Sequence, residues 1–238
     1  MKMSQNFLIN PKIADYIVKI ADLKDDDIVL EIGAGKGILT YRILKKSKVI
    51  AIEIDPQLCE FLRCKFREFM EGGRLKIICG DALKIQFPNF TKIVANIPYH
   101  ISSPLIFKIL EYDFVLGILM LQKEFAERLC AKPKSKNYGR LSVMMYYHGH
   151  AEILKFVKKG NFRPVPKVDS AIVKIVRENK FCFSPHILEE VVRKIFSQRR
   201  KKIKNILGDV PYGDMRAEEL TPEQICEVAR YAYSRIRD

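Results

Sequence analysis

Four consecutive residues, Asn96-Ile97-Pro98-Tyr99, bring together groups able to handle the amino group of a planar base. They follow Lys92-Ile93-Val94-Ala95, a short apolar run that predicts a buried strand. Pro98 cannot extend a strand ladder and biases Ile97 away from helical angles, so the backbone must leave the sheet here. The exit places an amide (Asn96), a main-chain carbonyl (Ile97) and an aromatic face (Tyr99) at a strand's carboxyl end, where open α/β sheets bind their ligands. An exocyclic amino group offers two N–H donors beside a π-face. Asn96 and the Ile97 carbonyl can accept those donors while Tyr99 stacks on the ring. A proline turn whose Asn caps the next helix would use the same residue types, so the rest of the chain has to discriminate.

Three acids at predicted strand ends supply the discrimination. Ile28-Val29-Leu30-Glu31-Ile32 predicts a strand, Gly33-Ala34-Gly35-Lys36-Gly37 a turn, and Ile38 to Leu44 a helix. Strand, glycine turn and helix in that order make the nucleotide-binding half of a doubly wound fold. The phosphate loop G-x-x-x-x-G-K-[ST] is absent, because no hydroxyl residue follows Lys36. The dinucleotide pattern G-x-G-x-x-G fails too, since its third glycine comes one position early. What remains is E-x-G-x-G-x-G. Glu31 would repel a pyrophosphate but suits a ligand with a cationic amine and a sulfonium, which favours S-adenosylmethionine (SAM) held over Gly33 and Gly35. Glu53 closes the strand Lys48 to Glu53 roughly 20 residues beyond the glycine turn, where a carboxylate accepts both ribose hydroxyls. Its neighbour Asp55 is expected to cap the helix starting at Pro56. Leu75 to Cys79 runs into Gly80-Asp81-Ala82-Leu83, with Asp81 placed to accept from the cofactor's adenine amino group.

The remaining elements position or flank this rim. Asn10 as cap and Pro11 at the first helical position start a helix, with the amides of Gln5 and Asn6 just before it. Ser102-Ser103-Pro104 starts another helix, the run Phe114 to Leu121 is a strongly apolar strand, and Lys132 to Arg140 is a basic loop. Ala151 to Val157 and Ser170 to Val176 predict the closing strands. Between them, Pro164 and Pro166 stiffen a loop in which Phe162 is expected to cover the second face of a base stacked on Tyr99, the alternative being a core plug. His148 and His150 have no third ligand at metal-binding spacing, so no metal is assigned.

Composition shifts near Lys180, and the chain divides on this reading into residues 1–180, an α/β domain, and 181–238, a small all-α domain. Arg193, Lys194, Arg199, Arg200, Lys201, Lys202 and Lys204 fall in a stretch without acids. Ile195, Phe196, Ile203, Ile206 and Leu207 are its apolar anchors, as in a helix running on to Leu207 with its cationic face toward a phosphate backbone. The formal net charge of +14 among 238 residues points the same way, to an anionic partner such as nucleic acid. No apolar run approaches the roughly 20 residues of a membrane span and no signal peptide is visible, which predicts a cytoplasmic protein. The six cysteines form no C-x-x-C pair and read as small buried hydrophobes in a reducing compartment.

With these residues in place, the chain resembles the ribosomal RNA adenine dimethyltransferases, the KsgA family, in their archaeal and eukaryotic branch. The likeness runs through Gln5 to Leu8, Glu31 to Gly37, Glu53, Gly80 to Ala82, Asn96 to Tyr99 with Ser102-Ser103-Pro104, Tyr138 to Val143, Phe162 to Ser170 and Phe196 to Asn205. It departs from the pattern at the ends, with little basic leader before Gln5 and a short helical tail. The resemblance implies a Rossmann-like SAM-dependent methyltransferase sheet flanked by helices. It also implies transfer of two methyls to N6 of each of two adjacent adenosines near the 3′ end of small-subunit rRNA, by a monomer acting on immature subunits. Carried over by position, Asn6, Leu8, Gly33, Glu53, Asp81 and Asn96 contact the cofactor, and Asn96, Tyr99 and Phe162 hold the adenine. Three alternatives stay open: an RNA-binding assembly factor with a vestigial SAM site, a large-subunit rRNA methyltransferase, and a DNA N6-adenine methyltransferase. The stretch Phe196 to Lys201 argues against the last two.

Overall fold

The computed structural model describes residues 6–181 and 183–237; Gln5 lies outside the described residues. In chain order the elements are β1 (Phe7–Leu8), α1 (Pro11–Ile20), β2 (Ile28–Ile32), α2 (Ile38–Leu44), β3 (Lys48–Glu53), α3 (Pro56–Lys65), α4 (Arg67–Glu71), β4 (Leu75–Cys79) and β5 (Lys92–Asn96). There follow α5 (Ser102–Leu110), β6 (Leu116–Gln122), α6 (Lys123–Leu129), α7 (Arg140–His148), β7 (Gly149–Val157), β8 (Phe162–Arg163), β9 (Ser170–Arg177), α8 (Pro185–Ser197), α9 (Lys204–Leu207) and α10 (Pro222–Arg237). They group into two compact units, Met1–Ala126 with Glu152–Arg177, and Glu127–Ala151 with Glu178–Asp238.

The first unit is built on a seven-stranded sheet of order β4-β3-β2-β5-β6-β9-β7, with β2 to β6 parallel and β9 antiparallel to β6. Strands β2, β3 and β4 advance in one direction, and the chain then crosses to the other side of β2 to make β5. The gap between β2 and β5 is therefore the switch point at which such sheets bind ligands. The predicted caps form: Asn10 accepts from the Lys12 N–H and Asp55 from the Gln57 N–H, both at 2.9 Å, each with proline at the first helical position. One apolar core joins β1, α1, α2 and the sheet through Leu8, Ala14, Ile17, Leu39, Val94 and Ile172.

The cysteine expectation needs correction. Cys59 on α3 and Cys79 at the end of β4 are paired as a disulfide, because the β3–α3–β4 crossover brings their Cα atoms to 6.0 Å.

In the second unit, α8 buries Leu188, Val191, Val192 and Ile195. It packs on α7 and α10, so the unit takes in α7 as well as the chain after residue 177. The long helix expected up to Leu207 does not form as one piece. Helix α8 stops at Ser197, and α9 begins only at Lys204. Between them the backbone is captured sideways: the Ile203 N–H donates to the Met215 carbonyl and the Lys204 N–H to Gly213, both at 2.8 Å. Those bonds to a later segment of the chain replace the helical ones.

Candidate active site

The carboxyl ends of β2, β3, β4 and β5 open on a cavity of about 250 Å³ whose walls include Gly33, Glu53, Asp81, Ala82, Asn96 and Tyr99. A second chamber, of about 100 Å³, is lined by Glu31, Lys36, Leu8 and Arg163. The two share Phe7, Gly33, Gly35 and Asn96, so Asn96 stands on the partition. Gly33 and Gly35 hold φ of +74° and +56°, angles that L side chains rarely adopt. A Cβ on Gly35 would lie 2.9 Å from the Phe7 ring, and one on Gly33 3.3 Å from the ring of Pro98. The glycine turn is thus seated directly against the corner that begins at Asn96.

Each acid is held differently. Glu53 is buried and accepts from three backbone amides: Gly35 at 2.8 Å, Ile54 at 2.9 Å and Asp55 at 3.1 Å. A carboxylate has about four acceptor positions, so capacity remains for a ribose. Asp81 accepts from the Leu83 N–H at 2.9 Å while bordering the cavity. Glu31 is 1% exposed, and burial pushes its carboxyl up to about 8, with Glu53 adding like-charge repulsion. At neutral pH Glu31 is therefore mostly a neutral acid, a correction to its reading as a standing charge. Its Oε2 is buried with no hydrogen-bond partner. An orphaned carboxyl oxygen above a two-glycine cradle fits the amine of SAM: a cation arriving there would both satisfy the oxygen and favour its ionisation.

Asn96 donates its Nδ2 to the Asn6 carbonyl at 3.2 Å, which leaves its Oδ1 for a ligand. The Ile97 N–H donates to Met120 at 3.0 Å as the chain leaves the sheet. The Tyr99 hydroxyl lies 2.5 Å from Ser170 Oγ, and burial pushes its pKa up, keeping the phenol neutral.

Phe162 is not brought to the site. It is 0% exposed and belongs to the core with Leu8, Ala14 and Ile17. The reason is register. Strand β8 pairs antiparallel with β1, matching Leu8 with Phe162 and Phe7 with Arg163. Strand alternation turns Phe162 inward and leaves Arg163 at the smaller chamber. The core-plug alternative is the one realised.

Two further residues shape the site. Phe7 walls both chambers. Lys108, on α5, donates its Nζ to the carbonyls of Ala82 (2.9 Å), Leu83 (3.1 Å) and Ile85 (2.5 Å), clamping the loop that carries Asp81. The partners lie 23 to 26 residues away, and no local pattern announces a lysine folded onto carbonyls. Phe7 had a signal, its place between Asn6 and Leu8, but an apolar residue there reads equally as core.

In the second unit the basic stretch is partly neutralised. Arg199 pairs with Glu218 at 2.6 Å, and Lys202 and Lys204 converge on Asp214 at 2.9 and 2.8 Å. Those two ammonium groups, Lys204 first, hold the Asp214 carboxyl down at about 2. Arg193, Lys194, Arg200 and Lys201 are exposed, with no carboxylate at ion-pairing distance among the described residues.

The family model for ribosomal RNA adenine dimethylase matches residues 1–238. A protein of Methanosarcina acetivorans named probable ribosomal RNA small subunit methyltransferase A is 43% identical, over 96% of this chain and 92% of its own. The crystal structure of a dimethyladenosine transferase from Plasmodium falciparum superposes with a TM-score of 0.86 at 32% identity, over 96% of this chain and 98% of that one. The 23S rRNA methyltransferase ErmE follows with 0.74 and 27%, over 96% and 100%. The chain belongs to the ribosomal RNA adenine dimethylase family of SAM-dependent methyltransferases.

Proposed function

We propose that the protein dimethylates N6 of two adjacent adenosines near the 3′ end of small-subunit rRNA, in the cytoplasm, during assembly of the subunit. The observation that carries this reading is the position of Asn96 on the partition between the chambers, with Tyr99 on the wall of the larger one. SAM, when bound, supplies a methyl group activated by its positive sulfur. Glu53 would hold the ribose, Asp81 and the Ala82 backbone the adenine, and Glu31 the amine beyond Gly33. The target adenine, taken out of any stack, would lie on Tyr99, a contact contributing about 1–3 kcal/mol. Asn96 Oδ1 and the Ile97 carbonyl would accept the two N6 hydrogens. That arrangement draws the nitrogen toward tetrahedral geometry and aims its lone pair along the partition.

Positioning and exclusion of water supply the rate, rather than acid–base chemistry. N6 becomes acidic once alkylated and releases its proton to solvent. After the first methyl only one N–H remains, so one acceptor contact is given up in the second round. A pure assembly factor would not need Glu53 and Asp81 at the strand ends together with an orphaned Glu31 oxygen. The test is incubation of the protein with labelled SAM and immature small subunits, followed by nucleoside analysis. Dimethyladenosine in the 3′ region is the expected product; its absence, with SAM still bound, would favour the assembly role.

A further inference from the structure

The second unit holds a basic element that the stretch 193–204 does not contain. Residues 132–138 form a folded loop in which the Lys132 carbonyl accepts from Ser135 Oγ at 2.7 Å and from the Ser135 N–H at 3.2 Å. The loop is docked on the turn after α8. Arg199 Nη2 donates to the Lys136 carbonyl at 3.0 Å, while its Nε holds Glu218 at 2.6 Å. The Lys134 N–H in turn donates to the Glu218 carbonyl at 2.9 Å. The Tyr138 ring meets Phe196 edge-on, with centroids 5.9 Å apart. Lys134 is kept at φ +65°, an angle that costs a non-glycine residue energy and persists only where its surroundings impose it. Lys132, Lys134 and Lys136 are exposed, as are Arg200 and Lys201. Among the described residues none of the five has a carboxylate at ion-pairing distance.

We propose that the loop 132–136 and the turn 199–201 form one pre-assembled surface for an RNA phosphate backbone, with Arg199 and Glu218 as its internal strut rather than as phosphate contacts. The reading rests on the proposed rRNA substrate. Each side of the strut reaches across: the guanidinium fork ties the loop's carbonyl to a carboxylate, and that glutamate's own backbone ties the loop again. The two segments that carry these five cations are already tied together, so the loop itself needs no ordering when a phosphate chain arrives, and loop ordering is a principal cost of binding. Glu218, an acid beside a surface for an anion, is thereby explained as structural.

The experiment measures binding of the full chain to a 3′-terminal small-subunit rRNA fragment as a function of salt. Each phosphate contact contributes about 0.7–0.9 to the slope of log affinity against log salt, so Lys132→Gln with Lys134→Gln and Lys136→Gln should lower it by about 2. Glu218→Gln is the sharper variant. Charge alone says that losing an acid tightens RNA binding; the strut says that it weakens binding, by about fivefold, the scale of one exposed charge-assisted contact. Arg199→Lys, which keeps the charge but loses the fork, should weaken binding equally. Combining it with Glu218→Gln should add little, because both break one assembly. Tighter binding by Glu218→Gln, or an unchanged slope in the triple variant, overturns the proposal. Dimethyladenosine formation by the unsubstituted chain is followed in parallel. Its absence would remove the enzymatic reading, whereas the slopes judge this surface by themselves.

Discussion

At the strand ends of the first unit, Glu53 and Asp81 are gripped by main-chain amides. On the second unit charged side chains are exposed and gripped, where they are gripped at all, by other side chains. Glu53 takes three backbone N–H groups in the interior; Arg199 and Lys202 take carboxylates near the surface. Backbone donors arrive with the sheet topology and cannot be rearranged without unfolding it. Side-chain partners depend on chain segments far away in sequence. A site on parallel strand ends is therefore fixed by local order, strand then acid then helix. A surface site is fixed by whichever acids happen to fold beside it, and exposed pairs of that kind contribute only about 0–1 kcal/mol each.

The largest effect is expected at Phe162. Phe162→Ala should cost about 3–5 kcal/mol of stability as a core cavity, read as a fall in the unfolding midpoint with or without RNA. An unchanged midpoint with weakened RNA methylation would return Phe162 to the base. Asn96→Ala should lower methyl transfer by about 10²–10³-fold while SAM affinity, measured by equilibrium dialysis, falls only a few-fold. Near-normal turnover would remove the partition mechanism.

Glu31 gives the most specific effect. Its carboxyl titrates at about 8 when folded, against an ordinary 4.5, so between those values the folded chain binds a proton that the unfolded chain has lost. Stability should therefore decline as pH rises through that window, by up to about 1.4 kcal/mol per pH unit from this group. Glu31→Gln should flatten the decline. Saturating SAM should flatten it too, because a bound amine pulls the carboxyl back toward ionisation. A slope untouched by either would show that Glu31 does not face the amine.

The strand–acid order at Glu31, Glu53 and Asp81 and the proline exit after Asn96 were legible in the chain, because period, punctuation and residue type act locally. The caps at Asn10 and Asp55 were legible for the same reason. Phe162 was not. Whether an aromatic beside two prolines faces a ligand or the core depends on the register of β8 against β1, set by a partner more than 150 residues away in sequence. The break between α8 and α9 was hidden likewise, since the competing hydrogen bonds come from Gly213 and Met215. By itself the sequence determined a parallel α/β sheet with acids and an amide along its carboxyl rim, since apolar periodicity and strand-end chemistry need only neighbours. Tertiary structure alone decided which aromatic is buried, which cations are cancelled and how a carboxyl reaches a pKa near 8. Burial, register and ion pairing are properties of groups that meet only when distant segments pack.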